Sequence, residues 1–423
     1  METLNMGSSG PNVKLVQSLL NRIGYNAGVV DGHYGRQTMQ AVQAFQRSYG
    51  LSPDGVVGPA TWAVLERLLR GYDVYTIRSG DTLYNIAGRY YTTVNAILTA
   101  NPGINPNALA IGQRITVPYG IDVVFTDVDA TYSIVERQIQ GLKARYPFLE
   151  TGNIGKSVMG KNLYYVKLGA GGNEISYNAT HHANESINTP MLMRFIENFC
   201  KAYSTGSTIE GYNIRSIYQR TSIYIIPLVN PDGTDLVAYW PNYTDPAYIR
   251  AAALNKTGRP LPSVWKANIN GVDLNLNYPA EWEREKQLEL EQGIDSPAPR
   301  DYGGTAPLTE PESRAMYDFT RRHPLRLVIA YHTQGEVIYW QFENFAPPQS
   351  LPIARQFAAI SGYAVEPGTG EAAYAGYKDW FLQEFRRPGY TIETGRGANP
   401  IPMTQLPVIY RQNQGILLLG AVI

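Results

Sequence analysis

Apolar residues in the first seventy positions of the chain recur every three or four places, as they do along one face of a helix. Polar residues fill most of the places between them. Three such series follow one another and are separated by glycine-rich turns: Val13, Val16, Leu19 and Ile23; Ala41, Phe45 and Tyr49; and Trp62, Leu65 and Leu69. The pattern predicts a small three-helix bundle.

A short motif occurs twice between these helices. Residues 31–38 and 54–61 both read DGxxGxxT, in which Asp-Gly forms a tight turn and the second glycine opens the next turn. Pro59 suits the first turn of the third helix. Together with the sequence VQAFQ at 42–46, this pattern resembles peptidoglycan-binding domain 1, and the resemblance implies such a module over residues 1–71.

A second small unit is predicted over residues 74–119. A short strand at Tyr75–Ile77 and another at Arg114–Pro118 enclose two helices, which gives the order βααβ. The sequences SGDTLYNIA and LAIGQRITVP within it resemble those of a LysM module. The resemblance implies binding to glycans that contain N-acetylglucosamine, in peptidoglycan or chitin. Two wall-binding modules in tandem indicate the same polymer.

Strand-like and helix-like segments alternate over residues 122–423, which predicts an α/β domain with a mixed, mostly parallel sheet between helices. Ligands of open α/β sheets bind beyond the carboxyl ends of the strands. Four predicted strands run directly into polar residues: Glu174–Ala179, Ser222–Leu228, Arg326–Tyr331 and Gly389–Ile392. We therefore expect these polar groups to meet at one edge of the sheet.

Length and charge narrow the range of partners. The 423 residues exceed the roughly 100–200 of a typical domain, so several domains are expected. Lys+Arg and Asp+Glu both number 36, and a net charge of zero argues against a nucleic-acid partner. The longest apolar stretch, Ile416–Ile423, is far short of the ~20 residues of a spanning helix, so membrane insertion is not expected. No Sec-type signal peptide is visible, which predicts cytoplasmic synthesis and another export route, or lysis.

The sequence HHANE, which follows the first of the four strands, indicates a metal site. A HxxE pair that opens a helix after a strand brings its imidazole and carboxylate, here His182 and Glu185, close enough to share a cation. His181 competes with His182, and strand alternation would point the two side chains in opposite directions. Catalytic zinc usually has three protein ligands and one open position. His332, after the third strand, is the candidate third ligand.

A metal site that hydrolyses amides also needs a general base, and Glu393 ends the fourth strand. Further motifs follow in a set order: NPDG at 230–233, KANINGVDLN at 266–275, PLTEPE at 307–312 and DW at 379–380. Together these residues resemble the zinc carboxypeptidase superfamily over roughly residues 125–423. The resemblance implies one zinc ion per catalytic domain, with His182, Glu185 and His332 as ligands and Glu393 as the base.

The sequence departs from digestive carboxypeptidases where the terminal carboxylate of a substrate would bind. Those enzymes have HxRE and DLNRN, whereas this chain has Asn184 and Leu276 in place of the two arginines. Arginine is the side chain best shaped to fork onto a carboxylate, so ordinary trimming of C-termini is not expected. The donor to the oxyanion is left unidentified, with Lys266 as a candidate.

The combination of a LysM module with HHANE resembles the bacterial γ-D-glutamyl-meso-diaminopimelate endopeptidases. The resemblance implies a zinc-dependent peptidoglycan peptidase that binds glycan strands and stem peptides, at the cell wall or the spore. It also implies substrate contacts at Asn275 and Tyr374, and at Lys378 or Arg396, either of which is a candidate to pair with a carboxylate of diaminopimelate. Two alternatives remain open, namely a general zinc carboxypeptidase and a non-catalytic wall-binding protein.

Overall fold

The computed structural model describes residues 2–368 and 374–423 of the chain. The chain forms two compact units. The first consists of the residues up to Asp129 together with Ser133–Glu150, and the second of Ala130–Tyr132 and Thr151–Ile423. Among the described residues, no helix combines the length and the apolar character needed to cross a membrane. The three domain ranges predicted from the sequence, 1–71, 74–119 and 122–423, remain predictions.

The first unit is a helical bundle followed by a βααβ segment and one further helix. Its elements are α1 Pro11–Arg22, α2 Arg36–Ser48, α3 Pro59–Leu69, β1 Tyr72–Thr76, α4 Leu83–Arg89, α5 Val94–Ala100, β2 Arg114–Pro118 and α6 Tyr132–Arg145. Strands β1 and β2 pair antiparallel, and apolar side chains of α4, α5 and β2 form the core of this segment. The predicted helical N-terminus and βααβ order are confirmed.

Both copies of the DGxxGxxT motif are held by a glutamine of the preceding helix. Gln17 of α1 forms hydrogen bonds of 2.9–3.1 Å with the aspartate, first glycine and threonine of the first copy. Gln46 of α2 forms the same three contacts with the second copy at 2.8–3.1 Å. The turns need glycine because Gly32 and Gly55 have φ values of +79° and +74°. The repeated motif is therefore a repeated turn with the same internal support.

The second unit alternates strands and helices. Its strands are β3 Glu150–Lys156, β4 Asn162–Leu168, β5 Asn173–Ala179, β6 Thr208–Ile209, β7 Tyr212–Asn213, β8 Thr221–Ile226, β9 Leu327–His332, β10 Val337–Tyr339, β11 Ala364–Glu366 and β12 Gly389–Glu393. Its helices are α7 Asn188–Thr205, α8 Ile214–Arg220, α9 Pro231–Ala238, α10 Pro246–Ala252, α11 Leu261–Val264, α12 Trp282–Glu291, α13 Pro311–Arg322, α14 Ser350–Ser361, α15 Tyr377–Phe385 and α16 Leu406–Gly420. Two short 3-10 helices lie at Leu274–Leu276 and Met403–Gln405.

Eight of these strands form one mixed sheet in the order β11-β10-β12-β9-β5-β8-β4-β3. The central strands β12, β9, β5 and β8 are parallel to one another. Strand β10 runs antiparallel to β12, and β4 runs antiparallel to β8. The predicted mixed, mostly parallel sheet is confirmed. The four central strands correspond to the four strands predicted from the sequence, although β8 ends at Ile226, before the predicted Leu228, and β9 begins at Leu327, after the predicted Arg326. Because these strands are parallel, their carboxyl ends meet at one edge.

Helices cover both faces of the centre of the sheet. Val328 of β9 packs in a buried cluster with apolar side chains of α13 and α15. Tyr177 of β5 lies opposite Ile329 in the ladder, and neighbouring residues of a strand point to opposite faces. Tyr177 therefore points to the other face, where its hydroxyl donates to the Leu417 carbonyl of α16 at 2.8 Å. The central strands are therefore buried on both sides, as strands of a parallel sheet usually are.

Candidate active site

Two histidines and a glutamate converge at the carboxyl ends of β5 and β9. His182 and Glu185 lie in the loop after β5, and His332 is the last residue of β9. His182 Nδ1 lies 2.9 Å from Glu185 Oε1 and 3.2 Å from His332 Nδ1, which in turn lies 3.2 Å from Glu185 Oε2. All three side chains are buried. The structure thus brings together the three residues predicted as metal ligands.

The HxxE pair does not open a helix, contrary to the expectation from the sequence. The backbone turns at Thr180, whose φ is +61°, and α7 begins only at Asn188. Glu185 therefore lies in a loop, where its carboxylate is held from the neighbouring strand: the backbone N–H of Thr333 donates to Oε2 at 3.0 Å. This contact and the turn, rather than helical geometry, keep the carboxylate beside the imidazole.

The donor set of this cluster fits a zinc ion. Two imidazole nitrogens and a carboxylate are a ligand combination of catalytic zinc, with the fourth position left for water. Although burial opposes a charge on the ring, two neighbouring carboxylates raise the pKa of His182 to about 9, so they favour a positive charge at this point, and a metal ion that binds here replaces a proton of the ring. Burial lowers the pKa of His332, which keeps that ring neutral and able to act as a ligand.

The second nitrogen of His182 is held by Asp273, whose role the sequence analysis missed. His182 Nε2 lies 3.0 Å from Asp273 Oδ1. Such a bond fixes the orientation of the ring and leaves the lone pair of Nδ1 free for a metal. Burial acts to raise the pKa of Asp273, but His182 outweighs it and the pKa is lowered. The sequence signal for this contact is the aspartate of the GVDLN motif, which lies 91 residues after His182 in the chain.

His181, the competitor to His182, is not part of the cluster. Its Nε2 lies 3.0 Å from the hydroxyl of Tyr278, and its buried Nδ1 has no hydrogen-bond partner among the described residues. Burial lowers the pKa of His181 well below the usual value, so the ring is neutral. The geometry therefore favours His182 over His181 as the ligand.

Glu393 lies beside the cluster at the end of β12. It is opposite His332 in the parallel ladder of β9 and β12. Its Oε2 is buried and has no hydrogen-bond partner within the described part of the chain. Burial and then the charge of Glu185 raise the pKa of Glu393 to about 8. A carboxyl group with a pKa near neutrality can take up a proton and return it, as a general base must.

A cavity of about 250 Å³ opens beside His182, and Lys266 and Asn275 form part of its lining. The ammonium of Lys266 lies 3.7 Å from Glu185 Oε1. Burial disfavours its charge, but Glu185 and Asp273 more than compensate and raise the pKa of Lys266, so the side chain stays cationic. A cation at this point suits the developing charge of an oxyanion.

The other residues predicted to contact the substrate are Tyr374, Lys378 and Arg396, and they differ in burial and in hydrogen-bond partners. Tyr374 is buried, with 9% of its surface exposed. Lys378 is also buried, and its ammonium lies 2.5 Å from Asp379 Oδ1. Arg396 is exposed and donates from Nε to Glu336 Oε2 at 2.7 Å. Each of these two cations thus already has a carboxylate neighbour.

Three regions of the chain match known protein families. Residues 135–414 match zinc carboxypeptidase, residues 9–65 match a peptidoglycan binding domain, and residues 75–118 match the LysM domain. The first match covers more than half of the chain. It includes His182, Glu185 and His332, which we call the metal cluster. These matches agree with the resemblances that the sequence motifs indicated.

Individual relatives extend this result. The chain is 43% identical over 396 residues to γ-D-glutamyl-L-diamino acid endopeptidase 1 of Lysinibacillus sphaericus, a match that covers 81% of this chain and 98% of the relative. It is 24% identical to carboxypeptidase B of Rattus norvegicus, over 65% of this chain and 66% of that protein. The crystal structure of thrombin-activatable fibrinolysis inhibitor shares the fold, with a TM-score of 0.55 and 16% identity over 83% of this chain and 97% of that one. The chain therefore belongs to the zinc carboxypeptidase family, as a metallopeptidase that also carries a peptidoglycan binding domain and a LysM domain.

Proposed function

We propose that this protein hydrolyses the bond between the γ-carboxyl of D-glutamate and diaminopimelate in peptidoglycan stem peptides, with one zinc ion bound by His182, Glu185 and His332. The convergence of these residues with Glu393 on neighbouring parallel strands carries the proposal. The relative named as a γ-D-glutamyl-L-diamino acid endopeptidase supports the choice of bond, because it is matched over 98% of its length.

Each of these side chains has a separate role in the proposed reaction. When bound, zinc polarises the scissile carbonyl and lowers the pKa of a water molecule. Glu393 accepts the proton of the attacking water and passes it to the leaving amine. Asp273 keeps the ring of His182 in the orientation that a ligand needs. The ammonium of Lys266 stabilises the negative charge that develops on the carbonyl oxygen.

The two positions that lack arginine support cleavage inside a peptide. Asn184 is buried and donates to the Pro262 carbonyl at 3.3 Å, and Leu276 lines the cavity. Neither side chain can fork onto a terminal α-carboxylate, so a substrate that continues past the cleaved bond is tolerated. Asn275 and Tyr374 are proposed substrate contacts, as are Lys378 and Arg396, of which one pairs with the distal carboxylate of diaminopimelate. For either cation, this means sharing its charge with an existing carboxylate neighbour.

The two N-terminal modules hold the enzyme on glycan strands, at the cell wall or the spore. Their combination on one chain suits an insoluble polymer, because each binding event raises the effective concentration for the next one. The catalytic domain then meets stem peptides at a high local concentration.

Mass spectrometry of purified muropeptides, with and without a chelator, tests the proposal. We expect loss of the γ-linked diaminopimelate residue without chelator and no cleavage with it. Catalytic efficiencies for three synthetic peptides refine the result: one has γ-linked diaminopimelate, one has γ-linked lysine and one has α-linked phenylalanine. If the phenylalanine peptide is the best substrate, the protein is a general carboxypeptidase instead.

A further inference from the structure

The cavity beside His182 has one wall whose chemistry the proposed reaction does not use. This wall is helix α12, which contributes Glu285 and Glu289 to the lining. Arg300 and Asp301 also line the cavity, and they form an ion pair with each other at 2.6 Å. Neither glutamate contacts the metal cluster, so the wall calls for a separate explanation.

Glu285 is the unusual member of this wall. Only 5% of its surface is exposed, its Oε2 is fully buried, and its carboxyl group has no hydrogen bond or ion pair among residues 2–368 and 374–423. Glu289, one turn further along, accepts from the backbone N–H of Gly303 and from Lys286, both at 2.7 Å. A buried carboxyl without a partner costs folding free energy. A buried polar group without a partner calls for an explanation, and at the wall of an open cavity a ligand is one.

The surroundings of Glu285 select the charge of that ligand. Burial and then the carboxylates of Glu289, Asp273 and Asp301 raise the pKa of Glu285 to about 8, so a bound cation would stabilise its ionised form. A compact group with several N–H donors, such as a primary ammonium, would satisfy both the free oxygen and the negative field. A diamino acid carries an ammonium of this kind away from the peptide bond that is cut.

We propose that Glu285 binds the distal ammonium of the diamino acid in the substrate and so selects diamino acids over neutral residues of the same length. This inference rests on the proposed function and adds a specificity-determining residue to it. The cavity is large enough for such a side chain and opens directly beside His182. The diamino acid then occupies the cavity while its peptide bond lies at the metal cluster.

A pair of synthetic peptides tests the assignment in the full-length enzyme. One has lysine γ-linked to D-glutamate, and the other has norleucine, which keeps the carbon chain but lacks the ammonium. We expect the wild-type enzyme to prefer the lysine peptide by roughly 10- to 100-fold in kcat/KM, the effect of one charged hydrogen bond. Glu285→Gln should remove most of this preference by lowering kcat/KM for lysine and leaving norleucine nearly unchanged.

Glu283→Gln is the matched control, because Glu283 is exposed on the same helix and the substitution removes the same charge. It should keep the wild-type preference. Equal losses on both peptides in Glu285→Gln, or no preference in the wild-type enzyme, would overturn the assignment of Glu285. Absence of a preference in the wild-type enzyme overturns the assignment even if the variant does not fold. Failure of the wild-type enzyme to cut the γ-linked diaminopimelate peptide would overturn the proposed function, so the two failures are distinguishable.

Discussion

Glu393 has a buried carboxylate oxygen without a hydrogen-bond partner among the described residues, and it lies next to the metal cluster. Glu393→Gln keeps the shape of the side chain but removes its capacity to accept a proton. We expect turnover to fall by roughly 10²- to 10⁴-fold, while bound zinc stays at the wild-type level. Peptide hydrolysis and metal content measured on the same preparation check this. Wild-type turnover with full zinc would assign the base to another residue.

His332 is the ligand that comes from a different strand, so its loss should separate metal binding from the rest of the molecule. His332→Ala is expected to lose most of its zinc and its activity, while binding to insoluble peptidoglycan is unchanged. His323→Ala is the control, since His323 contacts Glu174 at 2.8 Å and is not part of the cluster. A fully active, zinc-loaded His332→Ala protein would contradict the assignment.

Asp273 acts through the ring of His182, so its removal should weaken the metal site without abolishing it. Asp273→Ala is expected to reduce zinc affinity by about 10- to 100-fold. Competition with a chromophoric chelator measures this directly. Asp301→Ala removes a carboxylate from the same cavity, but that carboxylate pairs with Arg300, so this variant should keep its zinc affinity. Equal affinities in the two variants would exclude the positioning role.

At the scale of elements, helix α13 provides a test of how burial of charge affects stability. Glu312, in its first turn, is buried and accepts from the backbone N–H of Val158 at 3.1 Å. Burial raises the pKa of Glu312 from 4.5 to about 8. The folded protein therefore holds this proton more tightly than the unfolded chain does. Its contribution to stability is full below pH 4.5 and decreases as pH rises towards 8.

Glu312→Gln should remove this part of the pH dependence. Between pH 5 and 8 we expect the wild-type protein to lose stability relative to the variant, by an amount on the order of a few kcal/mol. Urea unfolding of both proteins across this range gives the difference. Curves that stay parallel over the whole range would show that Glu312 does not titrate as its burial requires.

The elements also show what the sequence could and could not predict. Strands β8 and β9 were predictable because buried parallel strands are rich in apolar residues, and β5 and β12 because each short strand-like segment runs directly into polar residues. The start of α7 was not predictable from the sequence, because the positive φ of Thr180 and the contact from Thr333 depend on tertiary structure. Asp273 was missed for the same reason, because only the folded chain brings a loop residue to His182.

At the scale of the whole molecule, the N-terminal modules should matter for an insoluble substrate and little for a soluble one. Removal of residues 1–121 is expected to lower activity on intact peptidoglycan far more than activity on soluble muropeptides, because tethering raises the local concentration only of a polymer. Dye release from labelled cell wall, compared with hydrolysis of fragments, measures the two effects. Equal losses on both substrates would contradict this division of roles.

The ladder between β9 and β12 has a consequence for how such an enzyme diversifies. His332 and Glu393 are neighbours in that ladder, so backbone hydrogen bonds set their separation whatever side chains surround them. Helix α12, by contrast, belongs to the long connection between β8 and β9, outside the sheet. The same connection also carries Lys266 and Asp273, which lie beside Glu185 and His182, so only helix α12 can be exchanged while the reaction centre is kept. Exchange of helix α12 alone is therefore a direct route to lytic enzymes for bacteria with different stem peptides.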